Sequence, residues 1–251
     1  MKPTVFLASA AAVIAVAGCG KQGERASGPA PADATVTITQ AKPPPGGTWA
    51  DVANATTAGY VLGNPDAPVK LVEIGSLSCP VCKRFEDEGS QALVNDYLKS
   101  GRVSWEFRPY IIHGAADMAL NLVARCNGVK SFFPLMKSAY ENQTIFSNRL
   151  EAAPKDQVAQ IQQLPPNQVF IAIANIIGLQ DWAAMRGIPQ AKSNQCLTDQ
   201  QRIDQEVQFT SDVGTQYPDF KGTPSFILNG NLLSETSSWK ALKPQLDEAL
   251  K

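Results

Sequence analysis

The chain has 251 residues, a formal net charge of −1 from 22 basic and 23 acidic residues, 44% hydrophobic content and five cysteines. It has no basic block and no basic patch interleaved with aromatics, which argues against nucleic acid as a partner. The composition is that of a soluble domain, long enough for one or two hydrophobic cores.

Residues 1–18 read as a targeting segment. Lys2 supplies the positive charge, and Val5 to Ala17 is apolar apart from Ser9 but too short to span a bilayer. The run ends in Val16-Ala17-Gly18-Cys19, which resembles the bacterial lipobox, a signal in which the cysteine is lipidated and becomes the first mature residue. The alternative is an ordinary signal peptide cut near Gly18. Either way the rest of the chain is exported to a compartment where disulfides persist. Lipid on Cys19 would anchor the protein to a membrane without spanning it.

Residues 19–48 form a tether. The stretch is mostly polar or small with interspersed Pro and Gly, and Lys42-Pro-Pro-Pro-Gly-Gly47 adds stiffness. Within it, Ala34 to Thr39 alternates at period two and is a candidate strand. The folded part begins near Trp49.

Gly63-Asn-Pro-Asp-Ala-Pro68 is a turn cluster that launches the first core strand, Val69 to Ile74. Next comes Cys79-Pro80-Val81-Cys82, followed by a helical pattern from Val81 to Ser100 that Gly101 ends. A Cys-x-x-Cys at a strand-to-helix junction places the first sulfur at a helix N-terminus. There, unpaired N–H groups and the helix dipole stabilise a thiolate. Pro80 sits in the first turn, where its missing N–H costs nothing. The spacing lets the two sulfurs open and close a disulfide with little backbone movement, so the pair reads as a redox dithiol. The rival reading, a Cu(I) or Zn(II) module, lacks a second Cys-x-x-Cys, and the chain has one histidine, His113.

Arg102 to Arg108 alternates as a second strand, giving a βαβ order that favours parallel pairing. Trp105 and Phe107 are expected in the core, and His113 in a turn or cap. From Gly114 to Tyr217 the pattern is helical, with candidates at Ala115–Cys126, Ser131–Asn142, Asp156–Leu164, Asn167–Ile177, Leu179–Met185, Ala191–Cys196 and Asp199–Tyr217. Gly222-Thr223-Pro224 then opens a strand and a hairpin turn, Asn231 to Glu235 returns, and Trp239 to Leu250 is a terminal helix with Trp239, Leu242 and Leu246 on one face. With Cys19 lipidated and Cys79–Cys82 redox-active, Cys126 and Cys196 remain. They are either a disulfide or two buried free cysteines.

Taken together, these segments resemble the DsbA family of exported thiol–disulfide oxidoreductases. The resemblance rests on Gly63 to Val69, on Ser76-Leu-Ser-Cys-Pro-Val-Cys82, on Arg125-Cys126 followed by Phe132-Phe133, and on Gly222-Thr-Pro-Ser-Phe226. It covers about Tyr60 to Lys251. It implies an α/β, thioredoxin-like fold with a helical insertion domain: core residues 49–113 and 218–251, insert 114–217. It also implies a cis Pro224 beside the dithiol, with Thr223, Pro80 and Val81 meeting an extended substrate. A Cys126–Cys196 disulfide would tie two insert helices, and Glu73 would be a buried acid beneath the dithiol, in place of a water-facing strand glutamate. The catalytic set is then Cys79, Cys82, Pro224 and Glu73, with Cys79 the exposed nucleophile and Cys82 buried behind it, and with no organic cofactor or metal required.

Cysteine-containing exported proteins are the expected substrates, most naturally oxidised by this chain in the periplasm. Recycling would fall to a DsbB-like oxidase or a DsbD-like reductase in the membrane; reduction or isomerisation is the alternative direction. The family's familiar dipeptide is Pro-His, whereas Pro80-Val81 offers no side-chain charge or hydrogen bond to the thiolate. A higher Cys79 pKa and a less oxidising potential than in Pro-His members are therefore expected.

Overall fold

The computed structural model describes residues 42–251. The targeting segment, Cys19 and the candidate strand at Ala34 to Thr39 lie outside the described residues. A 3-10 turn at Trp49–Asp51 leads into β1 (Ala53–Ala55), β2 (Tyr60–Gly63) and β3 (Val69–Gly75). Helix α1 (Pro80–Phe85) continues through two wide π-helical stretches, Glu86–Ser90 and Leu93–Leu98, and β4 (Val103–Pro109) follows. Gly101 ends this helix with φ +74°, its N–H bonded to the Leu98 carbonyl. A Cβ there would lie 2.5 Å from the Trp49 ring, so glycine is required twice over.

Seven helices come next: α2 (Gly114–Ala124), α3 (Val129–Ala152), α4 (Lys155–Ile161), α5 (Pro166–Ile176), α6 (Leu179–Ala184), α7 (Gln190–Leu197) and α8 (Gln200–Gln216). The chain then returns to the sheet as β5 (Ser225–Leu228) and β6 (Asn231–Leu232) and closes with α9 (Trp239–Ala249).

The six strands are ordered β1-β2-β4-β3-β5-β6. β3 and β4 pair in parallel, as the βαβ order requires, and the other pairs are antiparallel. β3 lies between β4 and β5 and is buried except at Lys70. Strand pleating sends alternate residues to opposite faces. Leu71 joins a large core with Trp105, Phe107, Phe85, Leu242 and both cysteines. Val72 and Ile74 face a smaller cluster that α8 covers through Val213 and Phe209.

Four expectations are corrected. β1 and β2 have no counterpart in the sequence reading, because strands of three and four residues are too short to show a period. The candidate helix Ser131–Asn142 runs instead over Val129–Ala152, with Pro134 inside it at the sixth position, where it removes one helix hydrogen bond. The returning strand stops at Leu232, and Glu235 adopts φ +63°, which breaks the extended backbone. Cys79 is also less open than expected, as described next.

Candidate active site

Cys79 is the N-cap residue of α1 in extended conformation (φ −81°, ψ 121°), and Pro80 occupies the first turn. Its side chain therefore sits over the helix N-terminus, within reach of the free N–H groups of Val81 and Cys82. Both thiols are reduced. Cys79 is 5% exposed and Cys82 0%. The expectation of an exposed nucleophile is thus corrected. The loop carrying Thr223 and Pro224 folds over Cys79, and the thiol donates to the Thr223 carbonyl at 3.3 Å. Cys79 is still the outer sulfur of the pair. The Thr223–Pro224 peptide bond is cis.

The two sulfurs differ electrostatically. The Cys79 pKa is pulled down to about 5, chiefly by the hydrogen bond from the Cys82 thiol, with Thr223 and the Cys82 and Val81 N–H groups adding to it against burial. The Thr223 hydroxyl is buried and otherwise unpartnered, so it can donate once Cys79 is a thiolate. Burial, above all, pushes the Cys82 pKa well up; the Cys79 hydrogen bond and nearby Glu73 add to this.

Glu73 is 1% exposed and lies on the β3 face toward the dithiol. Trp105 Nε1 donates to its Oε2 at 3.2 Å. Burial raises its pKa well above the carboxylate range, and Glu86 on α1, itself buried with a raised pKa, adds to the rise. Burial thus biases Glu73 toward the neutral acid, and it lies close enough to Cys82 that its charge, when present, raises the Cys82 pKa.

The loop before the dithiol is held by groups that sequence reasoning missed. Ser76 Oγ donates to Asp117 Oδ2 at 2.7 Å, and Asp117 Oδ2 also accepts the Ile112 N–H. Ser78 Oγ lies 3.1 Å from Ser76 Oγ and 2.7 Å from His113 Nδ1. His113 occupies the N-cap position of α2, a cap residue as expected, though its ring also reaches the active-site loop. From α3, Tyr140 OH donates to the Ser76 carbonyl at 3.3 Å, and Gln143 Nε2 donates to the carbonyls of Leu77 (2.9 Å) and Cys79 (3.1 Å). Asp117, Tyr140 and Gln143 are 41 to 66 positions from their loop partners, so no local signal could have found them.

A groove of about 280 Å³ opens beside this site, lined by Val81, Thr223, Pro224, Ser225, Leu232 and Leu233 among others. Lys221 and Glu235 form an ion pair at its edge. Cys126 and Cys196 form a disulfide with Cα atoms 5.6 Å apart, joining the turn after α2 to α7.

The fold has counterparts among known proteins. The family model described as "Thioredoxin" matches residues 55–248. A protein of Rickettsia bellii named "Putative protein-disulfide oxidoreductase" is 23% identical over 190 residues, covering 76% of this chain and 64% of that protein. The chain thus spans less than two thirds of the length of the first curated relatives it matches. Among solved structures, the protein-disulfide isomerase of Novosphingobium aromaticivorans superposes with a TM-score of 0.72 at 28% identity, covering 80% of this chain and 99% of that one. Alpha-DsbA1 of Wolbachia pipientis shares the fold, with a TM-score of 0.59 at 18% identity over 76% of this chain and 89% of that one.

Proposed function

The chain belongs to the thioredoxin family, and from that premise we propose that it is a DsbA-like thiol–disulfide oxidoreductase acting on protein cysteines, working as an oxidase. One observation carries the reading: a Cys-x-x-Cys pair at the N-terminus of α1 whose outer sulfur meets the Val81 and Cys82 N–H groups, which with the Cys82 thiol pull its pKa down to about 5, while the inner sulfur is fully buried. The names of the Rickettsia protein, a disulfide oxidoreductase, and of the Novosphingobium protein, a disulfide isomerase, support disulfide exchange without its direction.

In the oxidising direction a substrate thiolate attacks Cys79 Sγ of the Cys79–Cys82 disulfide. The bond between the two sulfurs breaks, Cys82 leaves with the electron pair and is protonated, and the substrate is held through Cys79. Glu73 is the neutral acid placed to give that proton and take it back on reoxidation. A second substrate thiolate then attacks its own sulfur in the mixed disulfide, the substrate disulfide forms, and Cys79 leaves as a thiolate. A good leaving group is a stabilised one, so the N–H groups, the Cys82 thiol and Thr223 favour oxidation of the substrate. An extended substrate pairs with the Thr223 backbone and rests in the groove beside Val81 and Pro224.

Export and lipid anchoring through Cys19 belong to this proposal. The lipobox-like Val16-Ala17-Gly18-Cys19 supports them, as does the Cys126–Cys196 disulfide, a bond suited to an oxidising compartment. Turnover then requires a membrane partner that reoxidises the dithiol. The test is to mix the oxidised protein with a reduced, unfolded protein that needs disulfides. Stoichiometric transfer of disulfide to the substrate, with appearance of the Cys79–Cys82 dithiol, is expected. Failure to exchange with protein thiols in either direction overturns the reading.

A further inference from the structure

Helix α3 belongs to the insert, yet two of its polar side chains point into the active-site loop. Tyr140 and Gln143 are three residues apart and so share a helix face. Both are buried, at 1% and 7% exposure. Between them they donate to the carbonyls of Ser76, Leu77 and Cys79. We propose that Gln143, assisted by Tyr140, is a positioning residue for the Cys79 nucleophile, gripping the turn Ser76–Cys79 by its carbonyls. The inference rests on the oxidoreductase reading and extends it from the dithiol to the insert.

A tight turn leaves some of its backbone carbonyls without a donor. The Cys79 N–H bonds back to the Ser76 carbonyl, which closes the turn but leaves the Leu77 carbonyl pointing into protein. A buried carbonyl without a donor is costly, so the turn needs one from outside. The Gln143 amide supplies it and bonds the Cys79 carbonyl as well, bracketing Ser78 on both sides. The Cys79 carbonyl also accepts the Lys83 N–H, the first hydrogen bond of α1. Gln143 therefore holds the same peptide group that starts the helix. If that group tilts, the Val81 and Cys82 N–H groups no longer aim at Cys79 Sγ. A carboxylate at position 143 would be worse, since it offers no donor to two carbonyls. Other titratable groups near the turn are Cys82, Glu73, His113 and Asp117, and none of them bonds these carbonyls.

The test compares Gln143→Met and Gln143→Glu with wild type by thiolate absorbance titration and by equilibrium with glutathione, alongside thermal unfolding. The control is Arg186→Leu, which removes another hydrogen bond onto α3, to Ser138 Oγ, away from the loop. The Gln143 variants should raise the Cys79 pKa by about 0.5 or more and shift the glutathione equilibrium about threefold toward the protein disulfide. Arg186→Leu should lower stability alone. A Cys79 pKa and equilibrium equal to wild type in the Gln143 variants, with the same stability loss as the control, overturn the proposal. Should those variants fail to fold, Tyr140→Phe removes only the hydroxyl on Ser76. A smaller rise in the same direction is expected from it, and no rise counts against the clasp. The oxidoreductase reading is judged separately, by exchange of the wild type with protein thiols.

Discussion

The thiol of Cys79 meets the carbonyl oxygen of Thr223 at 3.3 Å, across 144 residues of sequence. The same contact covers Cys79, which is 5% exposed. On the proposed mechanism a substrate cysteine reaches Cys79 Sγ by running along the Thr223 backbone.

The two sulfurs should differ in trapping experiments. Cys82→Ser should accumulate mixed disulfides with disulfide-bonded protein substrates, because in this reverse, reducing direction the inner thiol that releases them is gone. Cys79→Ser should abolish exchange, since Cys82 is fully buried. Non-reducing electrophoresis after mixing with a disulfide-bonded substrate protein checks both. Equal adduct from the two variants would reverse the assignment.

The depressed Cys79 pKa makes stability depend on pH in the reduced protein alone. In the folded chain this thiol ionises at about 5, against 9.0 for an unperturbed one. Between those values the unfolded chain carries a proton that the folded chain has released, so stability rises with pH. The contribution is complete above about pH 9 and is lost as the pH falls through about 5. Urea unfolding of reduced and oxidised protein at about pH 4.5 and about pH 8 should show the reduced form gaining on the oxidised one at the higher pH.

Glu73 shows the opposite sign. Burial holds its carboxyl neutral, so ionising it above the unfolded-state pKa costs stability in the folded chain. Glu73→Gln keeps an acceptor for Trp105 Nε1 and removes that cost. It should stabilise the protein by about 1–2 kcal/mol at about pH 8 and by much less at about pH 4. The same change should slow proton transfer to and from Cys82 on the order of 100-fold, read as slower reoxidation of the dithiol in stopped-flow fluorescence. Unaltered reoxidation would remove Glu73 from the mechanism.

The insert disulfide closes a loop of 70 residues. Chain entropy assigns such a loop about 4 kcal/mol. Replacing Cys126 and Cys196 together by Ser should lower stability by about that amount while leaving the Cys79–Cys82 potential near its wild-type value. Denaturant unfolding and a glutathione equilibrium on the double variant measure the two quantities independently.

Val81 is 36% exposed in the first turn of α1 and lines the groove. Its side chain gives the Cys79 thiolate neither charge nor hydrogen bond. Val81→His should lower the Cys79 pKa further and raise the reduction potential by about 30 mV for each 1.4 kcal/mol gained by the reduced state. No change in either would mean that the N–H groups, the Cys82 thiol and Thr223 already saturate the site.

Much of this molecule was legible in sequence because its signals are local. Cys79-Pro80-Val81-Cys82 after an apolar run specifies a dithiol at a helix start, since chain direction alone puts the first sulfur over free N–H groups. The βαβ order specifies parallel pairing of β3 with β4, and the helical periods from 114 to 217 specify an insert. Tertiary packing alone decided the environment of each group. The closure of the Thr223 loop over Cys79 joins segments 144 residues apart. The raised pKa of Glu73 comes from burial and from nearby Glu86, which together outweigh the Trp105 N–H that favours its carboxylate. Gln143 looks like one more polar residue in an amphipathic helix until α3 packs against the loop and turns its amide onto two carbonyls. Hydrophobic period and turn chemistry act over a few residues and survive in a string of letters. Desolvation and hydrogen bonds between distant segments exist only once the chain has packed, and in this protein they set which sulfur is the outer one and which way each pKa moves.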